Sequence, residues 1–89
     1  MTELIVELVK QRRGFRGNAR NEYIETIVKG VIAELETEQG VLIDIDNPAH
    51  LLFIVDYASD RYANRDSKDG MPRHLQFRLH NLFLGAKNE

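Results

Sequence analysis

Three histidines, His50, His74 and His80, are the chain's only imidazoles, and it has no cysteine. A helical zinc site places two histidines four residues apart on one face, and no pair here has that spacing. His74 and His80 fall on different faces of one helix. Asp56 and Asp60 do stand at i, i+4, the spacing at which two carboxylates could share a hard cation. Such cations take about six or more oxygen ligands. With Arg61 and Asn64 alongside, a solvated helix face is the better reading. Nucleophilic catalysis needs an activated hydroxyl or thiol beside a base. Ser59, Ser67, Thr2, Thr26 and Thr37 lie in neither a nucleophile elbow nor a phosphate-binding loop. No enzymatic activity, metal or cofactor is expected.

The charges are more informative. Between Lys10 and Arg20 lie five basic residues (Lys10, Arg12, Arg13, Arg16 and Arg20) and no acidic one. Between Glu34 and Asp46 lie five acidic residues (Glu34, Glu36, Glu38, Asp44 and Asp46) and no basic one. Arginines around Phe15, with Gly14 and Gly17 for flexibility, could grip phosphates and stack on a base. The local alternative is a helix end whose cations suit the dipole, followed by a glycine turn that packs Phe15 on the core. A protein contact is the third reading, since arginine is common as an interface anchor. The local and protein-contact readings rank together, ahead of nucleic acid. The three glutamates sit at a helix C-terminus, where each opposes the dipole by a few tenths of a kcal/mol. That local disadvantage hints at a use elsewhere, such as pairing with arginines of another subunit.

Four helices must position these groups. Thr2 to about Arg13 places Leu4, Ile5, Leu8 and Val9 on one face, with Thr2 as cap. Tyr23, Ile24, Ile27, Val28, Val31, Ile32 and Leu35 follow helical spacing over about four turns. Asn18 or Asn21 is the candidate cap of this helix, and Gly40 its C′ residue. Gly30, in mid-helix, suggests a close helix–helix approach. Val41 to Asp46 reads as an extended connector that tucks some side chains into the core, because a lone strand lacks a partner. Asn47-Pro48 starts a third helix. Its Leu51–Val55 stretch is apolar nearly all round, so it lies centrally in the core or at a subunit interface, with Leu52 and Phe53 as candidate contacts. Tyr62 is expected to pack on the core, with Arg65 capping carbonyls. Residues 66–70 form a polar turn. Met71-Pro72 opens the last helix, with Leu75, Leu79, Leu82 and Phe83 inward and Gly85 at its end. The expected fold is all-α, with helices at about 2–13, 19–39, 48–65 and 72–84 and a connector at 41–46.

Length and composition fit this picture. Residues 1–89 make one domain, with 86–89 as a frayed tail. Hydrophobic residues are 43% of the chain and charged ones 29%, the balance of a globular protein with a small core. The start of the chain lacks the basic stretch and cleavage site of a signal peptide. The longest apolar run, Leu51 to Val55, falls far short of the ~20 residues that span a bilayer. No membrane association is expected. A net charge of −2 argues against a dedicated nucleic-acid domain and leaves a secondary DNA contact open.

The second half carries a resemblance. Glu34-x-Glu36-x-Glu38-Gln39-Gly40-Val41 is followed by the Asn47-Pro48-x-His50 helix start. Val55-Asp56-Tyr57-Ala58 and Tyr62-Ala63-Asn64-Arg65 come next, then a polar loop and Met71-Pro72 with Leu75. From about Tyr23 to Leu84 this resembles the small helical head–tail connector (head-completion, adaptor) proteins of tailed bacteriophages and prophages. The basic N-terminal part is shorter than that family's. The resemblance implies a structural protein that forms a ring beneath the portal after DNA packaging and offers a docking surface to a tail-side completion protein. Its place would be the virion head–tail junction, and the host bacterial cytoplasm during assembly. The candidate interface comprises Arg12, Arg13, Arg16, Arg20, Glu34, Glu36, Glu38, Asp44, Asp46, Leu52 and Phe53. Two rivals remain: a small helical nucleic-acid-binding protein using residues 10–20, and a protein-interaction module from a mobile element that forms no ring. The ring copies could be monomers in isolation.

Overall fold

Asn47 and Pro48 start the helix around which the others pack. The Asn47 side chain accepts a hydrogen bond from the Ala49 N–H at 2.9 Å, and Pro48 occupies the first helical position, where its missing N–H costs nothing. In the computed structural model, which describes residues 2–65 and 70–84, this helix is α3, Pro48–Ala63. It is preceded by α1 (Thr2–Arg13) and α2 (Asn21–Ala33), which continues as a π-helical stretch, Glu34–Glu38. It is followed by α4 (Arg73–Leu79), continued by His80–Leu84. The protein is an all-α domain of four helices, with no strand among the described residues.

The apolar run Leu51–Val55 resolves in favour of the core. Phe53, Ile54, Val55, Tyr57, Ala58 and Tyr62 of α3 are buried, and α1, α2 and α4 each pack against α3. Phe53, read from sequence as a contact surface, is fully enclosed and belongs to this core. Leu52, 56% exposed, is the residue of that run that faces out. On α1 the buried stripe is Ile5, Val6 and Val9, so the helix is rotated from the expected face and Leu4 is half-exposed. The rotation places Ile5 and Val9 one turn apart on the inner face. On α2, Ile24, Val28, Val31, Ile32 and Leu35 are buried as expected, with Tyr23 at the exposed margin.

The connector has a strand's alternation without a partner. Val41 is buried, Leu42 is 83% exposed and Ile43 is partly covered. Gly40 sets its direction. At φ +66° it takes the left-handed turn that ends helices, and the Val41 N–H donates back to the Leu35 carbonyl at 3.0 Å.

Several local expectations are corrected. Thr2 is already helical. Asn18 and Asn21 do not cap α2: Arg20 holds the N-cap position, and the two asparagines bond each other at 3.2 Å in the preceding turn. Helix α2 therefore begins at Asn21, and α3 ends at Ala63. Pro72 is the N-cap of α4. Gly30 is exposed, with nothing within 4 Å of the position a Cβ would take, so no helix crosses there. The expected turn at 66–69, Phe83's packing, the Gly85 stop and the frayed tail lie outside the described side chains and residues.

Candidate interaction surface

The five basic residues at the end of α1 do different jobs. Lys10 is buried. Its ammonium meets the Asn18 side-chain oxygen at 3.3 Å and Glu7 at 3.6 Å. The Lys10 carbonyl accepts the Phe15 N–H at 2.9 Å, so this lysine folds the glycine loop back onto the domain. Arg12 points the other way and pairs with Asp56 of α3 at 3.2 Å. Arg78 of α4 meets the other oxygen of the same carboxylate at 2.6 Å. Asp56 thus ties α1 and α4 to α3, and Asp60 accepts from Asn64 at 3.1 Å. Among the described residues no group of three or more candidate ligands is placed to hold a metal ion.

Gly14 and Gly17, at φ +74° and +77°, turn the chain where a side chain would be strained. They bring Phe15 down onto Tyr62, edge to face, with ring centroids 5.2 Å apart. Tyr23 meets Tyr62 in the same manner at 5.8 Å. Guanidinium groups lie over this cluster: Arg20 is 4.5 Å from the Phe15 centroid, Arg13 is 6.0 Å away, and Arg65 is 4.9 Å from Tyr62. Arg65 also donates to the Tyr62 carbonyl at 2.9 Å, the capping role its position suggested. Arg13, Arg16 and Arg20 are exposed, and none makes an ion pair among the described residues.

The acidic residues also divide. Glu34 turns inward. Its carboxylate accepts from the Tyr57 hydroxyl at 2.7 Å and from Arg61 at 3.0 Å, and Arg61 donates to the same hydroxyl at 2.8 Å. Burial and the bond to Glu34 push the Tyr57 phenol up to about 12, so it stays a neutral donor at physiological pH. The Glu34 hydrogen bond holds Arg61 above its ordinary value. Glu34 is therefore a fold residue, and its place in the acidic run is explained within one chain. Asp44 builds the turn into α3: its N–H donates to His50 Nδ1 at 3.1 Å, and its carboxylate accepts the Asp46 N–H at 3.0 Å. Glu36 and Glu38 are exposed, with no ion pair among the described residues. Asp46 is exposed as well.

What remains on the surface is polar in a directional sense. Arg13, Arg16 and Arg20 precede α2, and Glu36, Glu38, Asp44 and Asp46 lie at or beyond its other end. Eighteen residues from Asn21 to Glu38 separate the two groups by about 25 Å at 1.5 Å per residue. The helix dipole has the same sense as these charges, so the field along α2 is reinforced. Sequence reasoning found both groups and missed two exposed apolar side chains beside them. Leu42 falls between Glu38 and Asp44 in the sequence and Tyr23 three residues after Arg20, and both are exposed.

Comparison with protein-family models, with curated proteins and with solved structures gives no match. The protein is a small four-helix domain with three exposed arginines before α2 and four exposed carboxylates at or beyond its other end. Among the described residues no helix is long and apolar enough to cross a membrane.

Proposed function

We propose that this chain is a structural virion-assembly protein: a ring-forming head–tail connector of a tailed bacteriophage or prophage that docks on the portal after DNA packaging. The observation that carries the reading is the grouping of three exposed arginines before α2, where Glu22 is the exposed acid of the first turn, and of four exposed carboxylates at or beyond its other end. A ring is built from a heterologous contact, in which one patch meets a different patch on the neighbour. Opposed charges supply such a pair and fix orientation more than affinity. With Arg12 and Glu34 engaged inside the chain, the joint falls to Arg13, Arg16 and Arg20 against Glu36, Glu38, Asp44 and Asp46. The outward-facing Leu52 is left for the portal or a tail-side completion protein. No chemistry is required of such a protein.

The nucleic-acid reading is weaker for a geometric reason. Base stacking needs a free aromatic face, and the Phe15 ring carries Arg20 at 4.5 Å and is packed edge to face with Tyr62. The test is to mix the protein with portal assemblies and image the product. An added ring supports the reading. Charge reversal at Arg13 and Arg16 should abolish that ring, and reversal at Glu36 and Glu38 should restore it. A portal that stays bare, beside salt-sensitive DNA binding lost with the arginines, would replace the connector reading with the nucleic-acid one.

A further inference from the structure

Among the exposed large hydrophobics of the described residues Leu42 is the most open, at 83%. It is also held in place. On one side Val41 is buried, with its N–H bonded to Leu35. On the other, the Asp44 N–H is bonded to His50. A segment pinned at both sides presents its apolar side chain with little conformational entropy left to lose on binding. The backbone N–H groups of Leu42 and Ile43 have no hydrogen-bond partner among the described residues. Along the chain Glu36 and Glu38 precede Leu42 and Asp44 and Asp46 follow it, all exposed. An apolar centre with a charged rim is the anatomy of an interface patch.

We infer that Leu42 is the apolar anchor of a head-to-tail contact between copies of this chain, and that it seats against Tyr23 at the other end of α2 in a second copy. Tyr23 is 46% exposed, lies edge-on to Tyr62, and precedes α2's core residues just after Arg20. Arg20 and Arg13 stand over the neighbouring Phe15 ring, with Arg16 in the same loop, against one adjacent exposed acid, Glu22. A Leu42 side chain laid on Tyr23 brings its acids to these arginines. A symmetric contact of Leu42 with Leu42 instead sets the carboxylates of both copies against each other, and like-charge juxtaposition is costly. Charge therefore selects the heterologous arrangement. The inference rests on the self-assembly reading and names the residues at the centre of its joint.

The chain has no cysteine, which makes a pairing test clean. Leu42→Cys and Tyr23→Cys proteins, each checked for helicity, are oxidised separately and as a mixture at low salt and high concentration. The mixture should give a cross-linked dimer enriched at least ~10-fold over either protein alone, the scale of an interface anchor. The double variant should give a ladder. Efficient cross-linking of Leu42→Cys with itself overturns the inference, as does equal cross-linking of Tyr23→Cys with Leu52→Cys, or no enriched product. A second arm separates this from the connector reading. If Leu42→Asp still forms the portal-bound ring as the parent does, the anchor is wrong and the connector reading stands. If the mixture cross-links but the parent adds no ring to the portal, the joint stands and the connector reading falls.

Discussion

The Tyr57 hydroxyl donates to the Glu34 carboxylate at 2.7 Å, joining the centre of α3 to the π-helical end of α2. The bond explains an arrangement that looks unfavourable in sequence, a glutamate near a helix C-terminus. Arg61, at 3.0 Å from the other carboxylate oxygen, supplies the compensating positive charge, and the phenol supplies a donor that burial cannot take away. Replacing Glu34 with Ala leaves the Tyr57 hydroxyl without its acceptor. Thermal unfolding should report a loss of about 1–3 kcal/mol. Glu34→Gln keeps an acceptor and should lose less. Equal losses in the two variants would show that the carboxylate's charge carries the effect.

Burial of the same phenol, together with its bond to Glu34, gives the protein an alkaline limit. The phenol ionises at about 12 in the folded chain and at about 10 when unfolded. The unfolded state therefore loses its proton first as pH rises. Stability from this group is full below about pH 10 and declines towards pH 12, by an amount on the order of 2 kcal/mol. Denaturant unfolding from pH 8 to pH 12 measures the slope. Tyr57→Phe should flatten it, because no ionisable phenol remains at that position.

Gly30 lies on an exposed face of α2 with open space where a Cβ would stand. Alanine there reduces the backbone freedom of the unfolded chain and meets nothing in the folded one. Gly30→Ala should raise stability by about 0.5–1 kcal/mol, read as an upward shift in the melting midpoint. Gly40→Ala should do the opposite. At φ +66° a side chain is strained, and the cost is about 1 kcal/mol or more. A gain from Gly40→Ala would mean that the helix end had rearranged.

The outline of the fold was legible because helical spacing is strong in α2 and the Asn47-Pro48 start of α3 is unambiguous in its chemistry. What stayed hidden depended on pairs far apart in sequence. Glu34 looked like one acid among five, and only the arrival of Tyr57 and Arg61 from α3 removes it from the surface set. Arg12 left the basic patch in the same way, by meeting Asp56. Phe53 could not be told from Leu52 by hydrophobicity, since both lie in one apolar run and the direction of α3 decides which is enclosed. Leu42 was hidden because an alternating apolar segment gives two faces and no indication of which one faces water. The lone signal was its position among acids.

Asp56 is a partly exposed carboxylate shared by two arginines. It holds Arg12 from α1 and Arg78 from α4 at 3.2 and 2.6 Å, so one side chain links three helices. Its side chain is 26% exposed, which places the pairings between weak surface bridges and costly buried ones. The effects should differ between the two partner helices. Helix α1 also buries Ile5, Val6 and Val9 against the core, whereas α4 buries Leu75 and Leu79. Asp56→Asn should therefore lower global stability by about 1 kcal/mol and loosen α4 more than α1. Amide hydrogen exchange resolves this. Protection at Leu75–Leu79 should fall by more than protection at Ile5–Val9. Equal losses in the two helices would show that Asp56 acts on the whole core and not mainly as the tether of α4.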